Sequence, residues 1–394
     1  PAAVAAGAAA REAGFEGRIL MIAEEPETPY RRPPLSKEYL AGELDAAALP
    51  VRSSEFLDEH GIELMLGTRV VRIDERAGEV VLGDGGRIAY GKLVLATGGR
   101  PRRLPGVEHE RVVYLRTVAD ADLLAKRLRR GTPLAVLGAG FIGCEVAACA
   151  RKLGVEVTLL EMADVPLQRV LGDRFGAIIG DVHRDAGVDL RTGERVESVT
   201  PTGDGLLVTT DRGRIECGLL LVATGLLPNV ELAEGTGIRC ANGILVDEHC
   251  RTSAPDVFAA GDVAAHLHPL HNGHIRVEHY DNALKQGAVA GRNLVAPDPQ
   301  PYAEPHWFWS DVYEHNLQVL GLPQPDAEVV VRGSLDDRRF SAWTLTRDGT
   351  IAAVLTMNRA KDIVAAKRLM ARRTPVTPDA LRDESTDLRQ LSRT

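Results

Sequence analysis

Pro133-Leu-Ala-Val-Leu-Gly138-Ala-Gly140-Phe-Ile-Gly143-Cys-Glu145 decides the fold. An apolar run of strand length meets a G-x-G-x-x-G turn, and small apolar residues continue to Leu153, ahead of Gly154. That order reads as a strand, a tight turn and a helix from 144 to 153 stopped by a glycine. Val155-Glu-Val-Thr-Leu-Leu-Glu161 follows as a second strand ending in an acid. Glu161 lies 161 − 138 = 23 residues past the first glycine, close to the ~20 of a dinucleotide-binding βαβ unit. The glycines allow a tight turn and let backbone N–H groups approach a pyrophosphate, with the helix N-terminus facing the phosphates. Gly138, Gly140 and Gly143, with Phe141 and Ile142 between them, are therefore expected to bind a nicotinamide dinucleotide. Glu161 would hold the ribose hydroxyls and repel a 2′-phosphate, which favours NADH over NADPH. Arg169 lies farther on, either for the adenosine phosphates or on the surface. The bland alternative is a Gly-rich turn in an α/β core and a solvated acid at a strand end. The strand–turn–helix context and the placement of the acid favour the binding reading.

The chain opens on half of the same unit. Residues 1–14 read as a helix, and 18–24 as a buried strand ending at Glu24, with Glu25 next to it. The strand and glycine turn that begin such a unit would lie ahead of Pro1. Two apolar runs end alike, Lys92-Leu-Val-Leu-Ala-Thr-Gly98 and Leu219-Leu-Leu-Val-Ala-Thr-Gly225, each after alternating β-like sequence at 70–90 and 196–215. Thr252 to Asp262 is a strand ending in Gly261-Asp262, which offers an acceptor for sugar or ribityl hydroxyls. In Pro29-Tyr-Arg-Arg-Pro-Pro-Leu-Ser-Lys37, two prolines stiffen the backbone and present Lys37 at a defined place. A lysine beside an isoalloxazine stabilises its anionic reduced form, whereas residue type alone favours a solvated lysine. Beyond ~305 the texture changes to short strands at 328–333, 340–346 and 350–357 and a basic helix at 361–373. Residues 296–305 read as a linker, and 374–394 as a polar, fraying tail.

Composition sets the limits. With 44% hydrophobic and 26% charged residues, disorder throughout is excluded. A formal charge of −8 argues against a general nucleic-acid binder. The 39 glycines gather at the nucleotide turns and strand ends. The five cysteines include no C-x-x-C pair, so a reduced, cytoplasmic setting is expected. No run approaches the ~18 to 20 apolar residues of a membrane span. The Ala-rich start lacks a basic leader and runs into Arg11 and Glu12, so it is not read as a signal peptide. His266, His268, His271 and His274 lie close together, but neither Cys nor acid completes a ligand spacing. They are read as a solvated loop, and no metal is expected.

Pro33-Pro-Leu-Ser-Lys37, Leu95-Ala-Thr-Gly-Gly-Arg-Pro101, Gly140-Phe-Ile-Gly-Cys-Glu145, Ala260-Gly-Asp262, Glu278-His-Tyr-Asp-Asn282 and Phe308-Trp-Ser-Asp311 occur in that order. In these motifs, and along nearly its whole length, the chain resembles the NADH-dependent ferredoxin reductases that serve Rieske oxygenases and bacterial cytochromes P450. The resemblance implies an α/β, glutathione-reductase-like fold of two Rossmann-like dinucleotide-binding domains plus a C-terminal α+β domain. FAD-binding parts would span 1–106 and 236–305, the NADH-binding domain 107–235 and the C-terminal domain 306–394. It implies FAD and NADH as cofactors, with hydride passing from NADH to FAD and single electrons from FAD to a [2Fe–2S] ferredoxin.

The resemblance also assigns residues. Ala2 and Ala3 would end the FAD fingerprint, and Glu24 would bind the FAD ribose. Lys37 would lie near the reactive edge of the flavin, paired with Glu145, as the catalytic residues. Val70, Ala96, Thr97, Gly98 and Arg116 would line the FAD site, Gly261 and Asp262 would bind the ribityl chain, and Tyr280 would lie by the pyrimidine end. Thr224, Gly225, Glu145 and Glu278 would receive the nicotinamide, and Trp309 would lie by the flavin. Lys367, Arg368, Arg372 and Arg373 of the basic helix would steer an acidic ferredoxin, or form a solvated face. A monomer or weak dimer with no nucleic-acid or membrane partner is expected. Cysteine placement separates the chain from disulfide reductases and peroxidase-like relatives: none precedes Cys144, Cys144 and Cys149 read as small buried hydrophobes, and Cys217, Cys240 and Cys250 have no metal spacing. Rubredoxin or dioxygen as acceptor, and a redox-sensing binding protein of the apoptosis-inducing-factor kind, stay open.

Overall fold

Helix Ala2–Glu12 is built from alanine and glycine along most of its length, so another backbone can approach it closely. Its neighbour is helix Tyr280–Val295. A Cβ at Gly287 would lie 2.3 Å from the Ala2 carbonyl oxygen, and one at Gly291 2.0 Å from that of Ala6. Only glycine fits at these two positions. The computed structural model describes residues 1–270, 273–323 and 327–391. It divides into two units: Pro1–Arg32, Ala47–Arg100 and Leu227–His306 form the first, and Pro33–Ala46, Pro101–Leu226 and Trp307–Thr394 the second.

In the first unit, strand Ile19–Ile22 pairs in parallel with Ile62–Met65, and Leu93–Leu95 with Val257–Ala259. In the second pair, Leu95 stands opposite Ala259. Ala96-Thr-Gly98 and Ala260-Gly-Asp262 therefore leave two neighbouring parallel strands at the same carboxyl end, where α/β sheets bind ligands. Strands Val70–Asp74, Glu79–Leu82 and Arg87–Ala89 form an antiparallel meander. Cys240–Ala241, Gly243–Val246, Ala264–His268 and Gly273–Arg276 form a four-stranded sheet.

The second unit holds a parallel sheet ordered Asp189–Arg191, Val157–Leu160, Leu134–Leu137, Leu219–Val222, Val112–Val113. From Leu134–Leu137 the chain moves to one side, while Leu219–Val222 lies on the other. The Gly138 turn and Ala223-Thr-Gly225 thus meet where the strand order reverses, the usual ligand position of a doubly wound sheet. An antiparallel sheet ordered Trp307–Val312, His315–Gly321, Ile351–Met357, Arg339–Leu345, Glu328–Ser334 carries helix Ala360–Ala371 over a core of Trp343, Val354, Ile363 and Leu369. Among the described residues, no helix is long and apolar enough to cross a membrane.

Two expectations need correction, and a third gains detail. The tail does not fray through 391: helices Pro378–Arg382 and Leu388–Leu391 bury Leu381 and Leu388. The buried Arg332 guanidinium donates to the carbonyls of Leu381 (3.0 Å), Asp383 (2.6 Å), Glu384 (3.1 Å) and Thr386 (3.0 Å) and so ties the tail down. Residues 296–305 run up to the unit boundary after His306, where a linker is expected, and they are packed down. Tyr302 is buried, its N–H donates to Glu248 O (2.7 Å), and Asn293 holds Gln300. His266 and His268 are not in a solvated loop but on strand Ala264–His268, both 0% exposed. His274 lies on strand Gly273–Arg276, and His271 falls outside the described residues.

Candidate dinucleotide-binding sites

Helix Phe141–Lys152 starts from Gly140, and the three turn glycines face different surroundings. Gly138 has φ +102°, and a Cβ there would lie 2.6 Å from the Ala223 carbonyl oxygen. A Cβ at Gly143 would lie 1.9 Å from the Gly138 carbonyl oxygen. Gly140 has nothing within 4 Å of that position, so its outer face is open to an approaching group. A turn packed at its first and third glycines and open at its second fits a pyrophosphate over the helix N-terminus. The Glu161 carboxylate accepts the N–H groups of Ala139 (2.7 Å) and Ala163 (2.9 Å), which fixes it beside the turn. Phe141 packs edge-on to Phe308 with ring centroids 4.7 Å apart, and Ile142 is 38% exposed on the turn. Thr224 and Gly225 are exposed, and so is Arg169 near the start of helix Gln168–Asp185. Replacing Glu161 by Gln keeps an acceptor and removes the charge. The expected result is a KM for NADH raised about 10- to 100-fold, the worth of a charged hydrogen bond, and a smaller NADH-over-NADPH preference in steady-state assays.

The same helix carries Glu145 inward, 6% exposed. Lys37 Nζ donates to it at 3.0 Å, Ser310 Oγ at 2.6 Å, and Ser36 Oγ donates to its other oxygen. The rigid Pro33–Ser36 turn delivers Ser36 and Lys37, and strand Trp307–Val312 delivers Ser310. The expected FAD-binding span included 33–46; this segment falls in the second unit, where Ser36 and Lys37 bond to Glu145. On the same strand Trp309 stacks on Trp307, with centroids 5.2 Å apart. The Arg116 backbone N–H donates to Asp120 (3.0 Å), whose carboxylate also caps helix Val118–Leu128. Lys367 Nζ lies 3.9 Å from the Trp307 ring centroid, whereas Arg368, Arg372 and Arg373 are exposed.

The first unit gathers the other expected residues. Gly261 has φ +81°, with Ala2 Cβ only 3.1 Å from where its own Cβ would be, and its N–H donates to Gln286 Oε1 (2.8 Å). Ala2 is buried and Ala3 half-buried at the start of the first helix. The half-buried Asp262 follows, its carbonyl held by Arg276 Nη1 (3.1 Å). Arg276 also pairs with Glu278 at 2.7 Å. Burial holds the His279 imidazole down to about 4 although Asp262 pulls it upward, so the ring is neutral near pH 7. Tyr280 begins helix Tyr280–Val295, and burial raises its phenol against the opposing pull of Arg31 and Arg52. Glu25 is occupied by Tyr30 OH (2.5 Å) and Arg32 (2.5 Å). Glu24 is 68% exposed with one long contact to Arg69 (3.5 Å), so it is the acid available to a ribose. Thr97 spends its hydroxyl on the Asn229 carbonyl (2.7 Å), and Asn229 Nδ2 donates back to Thr97 O (2.9 Å). Ala96 and Gly98 flank that clasp, with Gly98 at φ +63°. Val70 heads the meander, half-buried. A small-residue turn closing on an acid, with a second acid at the end of a parallel strand, fits the sugar hydroxyls of FAD.

Sequence reasoning missed Ser36, Ser310, Asn229, Gln286 and Arg276. All five hold expected site residues in place through partners far along the chain or through backbone groups. The five cysteines are free thiols, and four of them are buried. Burial pushes the thiols of Cys144 and Cys250 upward, Cys149 to about 12 and Cys217 to about 11, and the exposed Cys240 is raised as well. None is poised as a thiolate.

Comparison with known proteins finds two families along the chain. The family described as pyridine nucleotide-disulphide oxidoreductase matches residues 1–287, and the one described as Reductase C-terminal matches 307–392. The ferredoxin–NAD(+) reductase component of the anthranilate 1,2-dioxygenase system of Burkholderia cepacia is 42% identical, over 97% of this chain and 94% of that protein. The crystal structure of the ferredoxin reductase for the CYP199A2 system of Rhodopseudomonas palustris matches with TM-score 0.94 at 36% identity, covering 99% of this chain and 97% of that one. The covalent putidaredoxin reductase–putidaredoxin complex matches with TM-score 0.94 at 37% identity, covering 99% and 95%.

Proposed function

The chain belongs to the pyridine nucleotide-disulphide oxidoreductase family, and from that membership we propose that it is an FAD-dependent reductase that oxidises NADH and reduces a [2Fe–2S] ferredoxin feeding an oxygenase or a cytochrome P450. The observation that carries this reading is that likeness to ferredoxin reductases runs through the C-terminal sheet as well as the nucleotide-binding parts. FAD, when bound, supplies the chemistry that takes a hydride from NADH and releases its electrons singly. Gly138, Gly140 and Gly143 receive the NADH pyrophosphate, and Glu161 its ribose. Thr224, Gly225 and Glu278 are assigned to the nicotinamide side, and Arg169 to the adenosine phosphates. Ala2, Ala3, Glu24, Gly261 and Asp262 hold FAD, with Val70, Ala96, Gly98, Arg116, Tyr280 and Trp309 lining its site. Lys37, fixed by Glu145, supplies positive charge to the reduced flavin. We place the reaction in the cytoplasm, a setting suited to five free cysteines.

Stopped-flow mixing of the FAD-loaded protein with NADH, followed by [2Fe–2S] ferredoxin, rubredoxin or dioxygen, tests the reading. Fast bleaching of the flavin band and faster reoxidation by the ferredoxin than by either rival are expected. Faster reoxidation by rubredoxin or dioxygen overturns the acceptor, and a long-lived NADH–flavin charge-transfer band in place of turnover overturns the reductase. Reversing the charge of Arg368 and Arg372 together is expected to raise the KM for ferredoxin and leave NADH–ferricyanide turnover alone. Salt should shrink the difference, because encounter steering is screened. Lys367 is left out of that test because its ammonium rests on Trp307.

A further inference from the structure

We propose that His266, His268 and His306 form a buried site for a borderline divalent transition metal, zinc above all. All three are buried, His266 and His268 at 0% exposure and His306 at 2%. Each offers a nitrogen within 4.8 Å of the other two. Ring centroids stand 5.3 Å apart for His266–His268 and His266–His306, and 4.7 Å apart for His268–His306. Nitrogens bound to one zinc at ~2.1 Å lie roughly 3.4 Å from each other in a tetrahedral site, so an inward shift of about 1 Å closes this one. A neutral imidazole is the form a metal takes.

The surroundings support this assignment. His268 Nε2 donates to the Glu304 carbonyl at 3.1 Å. A backbone carbonyl on the far nitrogen is the contact that orients a ligating histidine and fixes its tautomer. It leaves Nδ1 as the lone pair, which now takes the Leu270 N–H at 3.2 Å, and a metal would displace that long bond. The neighbouring polar groups have other partners: Tyr302 OH donates to Asn282 (3.0 Å), and Lys285 pairs with Glu304 (2.8 Å) and Asp281 (2.9 Å). Nitrogen-only ligands suit zinc, copper, nickel or cobalt rather than calcium or magnesium. Two ligands come from strand Ala264–His268, which starts two residues after Asp262, and the third from the end of the 296–306 segment. A bound ion would staple that segment to the strand, adding stability rather than chemistry.

Untagged FAD-loaded protein, stripped with chelator and returned to zinc chloride, is the test. About one zinc per chain by elemental analysis, and a Tm raised by about 4 °C or more in excess zinc, are expected. Cobalt chloride should give tetrahedral d–d absorption to the red of the flavin band. His266→Gln with His306→Gln should lose the zinc and the Tm response. If that variant does not fold, the wild-type titrations decide. A stripped wild-type protein that takes up neither ion and shows no shift overturns the proposal and leaves a neutral polar cluster against Tyr302. Uptake that the folded double variant retains overturns it equally.

Discussion

Replacing Glu145 by leucine is expected to destabilise the protein by about 3–5 kcal/mol, the cost of stranding one member of a buried ion pair. It is also expected to slow flavin reduction by NADH by about 10²-fold or more, the loss typical when one preorganised charge is removed. Three donors converge on this carboxylate, from Lys37, Ser36 and Ser310. The Lys37 side chain is 10% exposed, so its ammonium would have little water to turn to. Glu145→Gln keeps an acceptor for the serines and should fall between wild type and leucine in stability. The informative variant is Lys37→Met with Glu145→Leu. Removing both charges takes away the stranded ion, and such replacements of buried pairs are often neutral. Stability should therefore return, by denaturant unfolding of the FAD-loaded protein. The rate of hydride transfer in stopped flow should not, because the cation assigned to the reduced flavin is gone. Recovery of both would make the pair a structural clasp with no part in catalysis.

This pair also shows where sequence reading runs out. The G-x-G-x-x-G turn and Glu161 are legible because the chemistry is local: strand, turn, helix and acid lie within 161 − 134 = 27 residues. Glu145 is a residue of that legible helix, but its partners are 108, 109 and 165 residues away. Neither periodicity nor spacing reports such a convergence, and the Lys37 pairing rested on resemblance. Strand Trp307–Val312 was hidden for the same reason. Its inward positions are Phe308, Ser310 and Val312, and the serine that breaks the apolar alternation is there to serve Glu145. His266 and His268 misled in the opposite direction: histidines close together with no completing ligand read as a solvated loop, yet both are fully buried. The tail looked disordered by composition because Arg332, which holds four of its carbonyls, belongs to another strand.

Gly140→Ala separates a dinucleotide cradle from an ordinary glycine turn. Gly140 has φ −76° and ψ −173°, values alanine adopts freely, and nothing stands within 4 Å of the new methyl. Stability should change by no more than about 0.5 kcal/mol, as at an unencumbered surface position. The methyl would nevertheless occupy the open face where a pyrophosphate must approach the backbone, so the Kd for NADH should rise about 10-fold or more. FAD content should stay unchanged, because no residue assigned to FAD is altered. Gly143→Ala is the counterpart. Its methyl meets the Gly138 carbonyl oxygen at 1.9 Å, and helix or turn must move. That costs about 1–3 kcal/mol or more in stability, and NADH binding falls with the distorted turn. If the turn were merely structural, Gly143→Ala would still destabilise while Gly140→Ala left NADH titrations as they were. Loss of NADH affinity in a Gly140→Ala protein of unaltered Tm is a result that only a binding role produces.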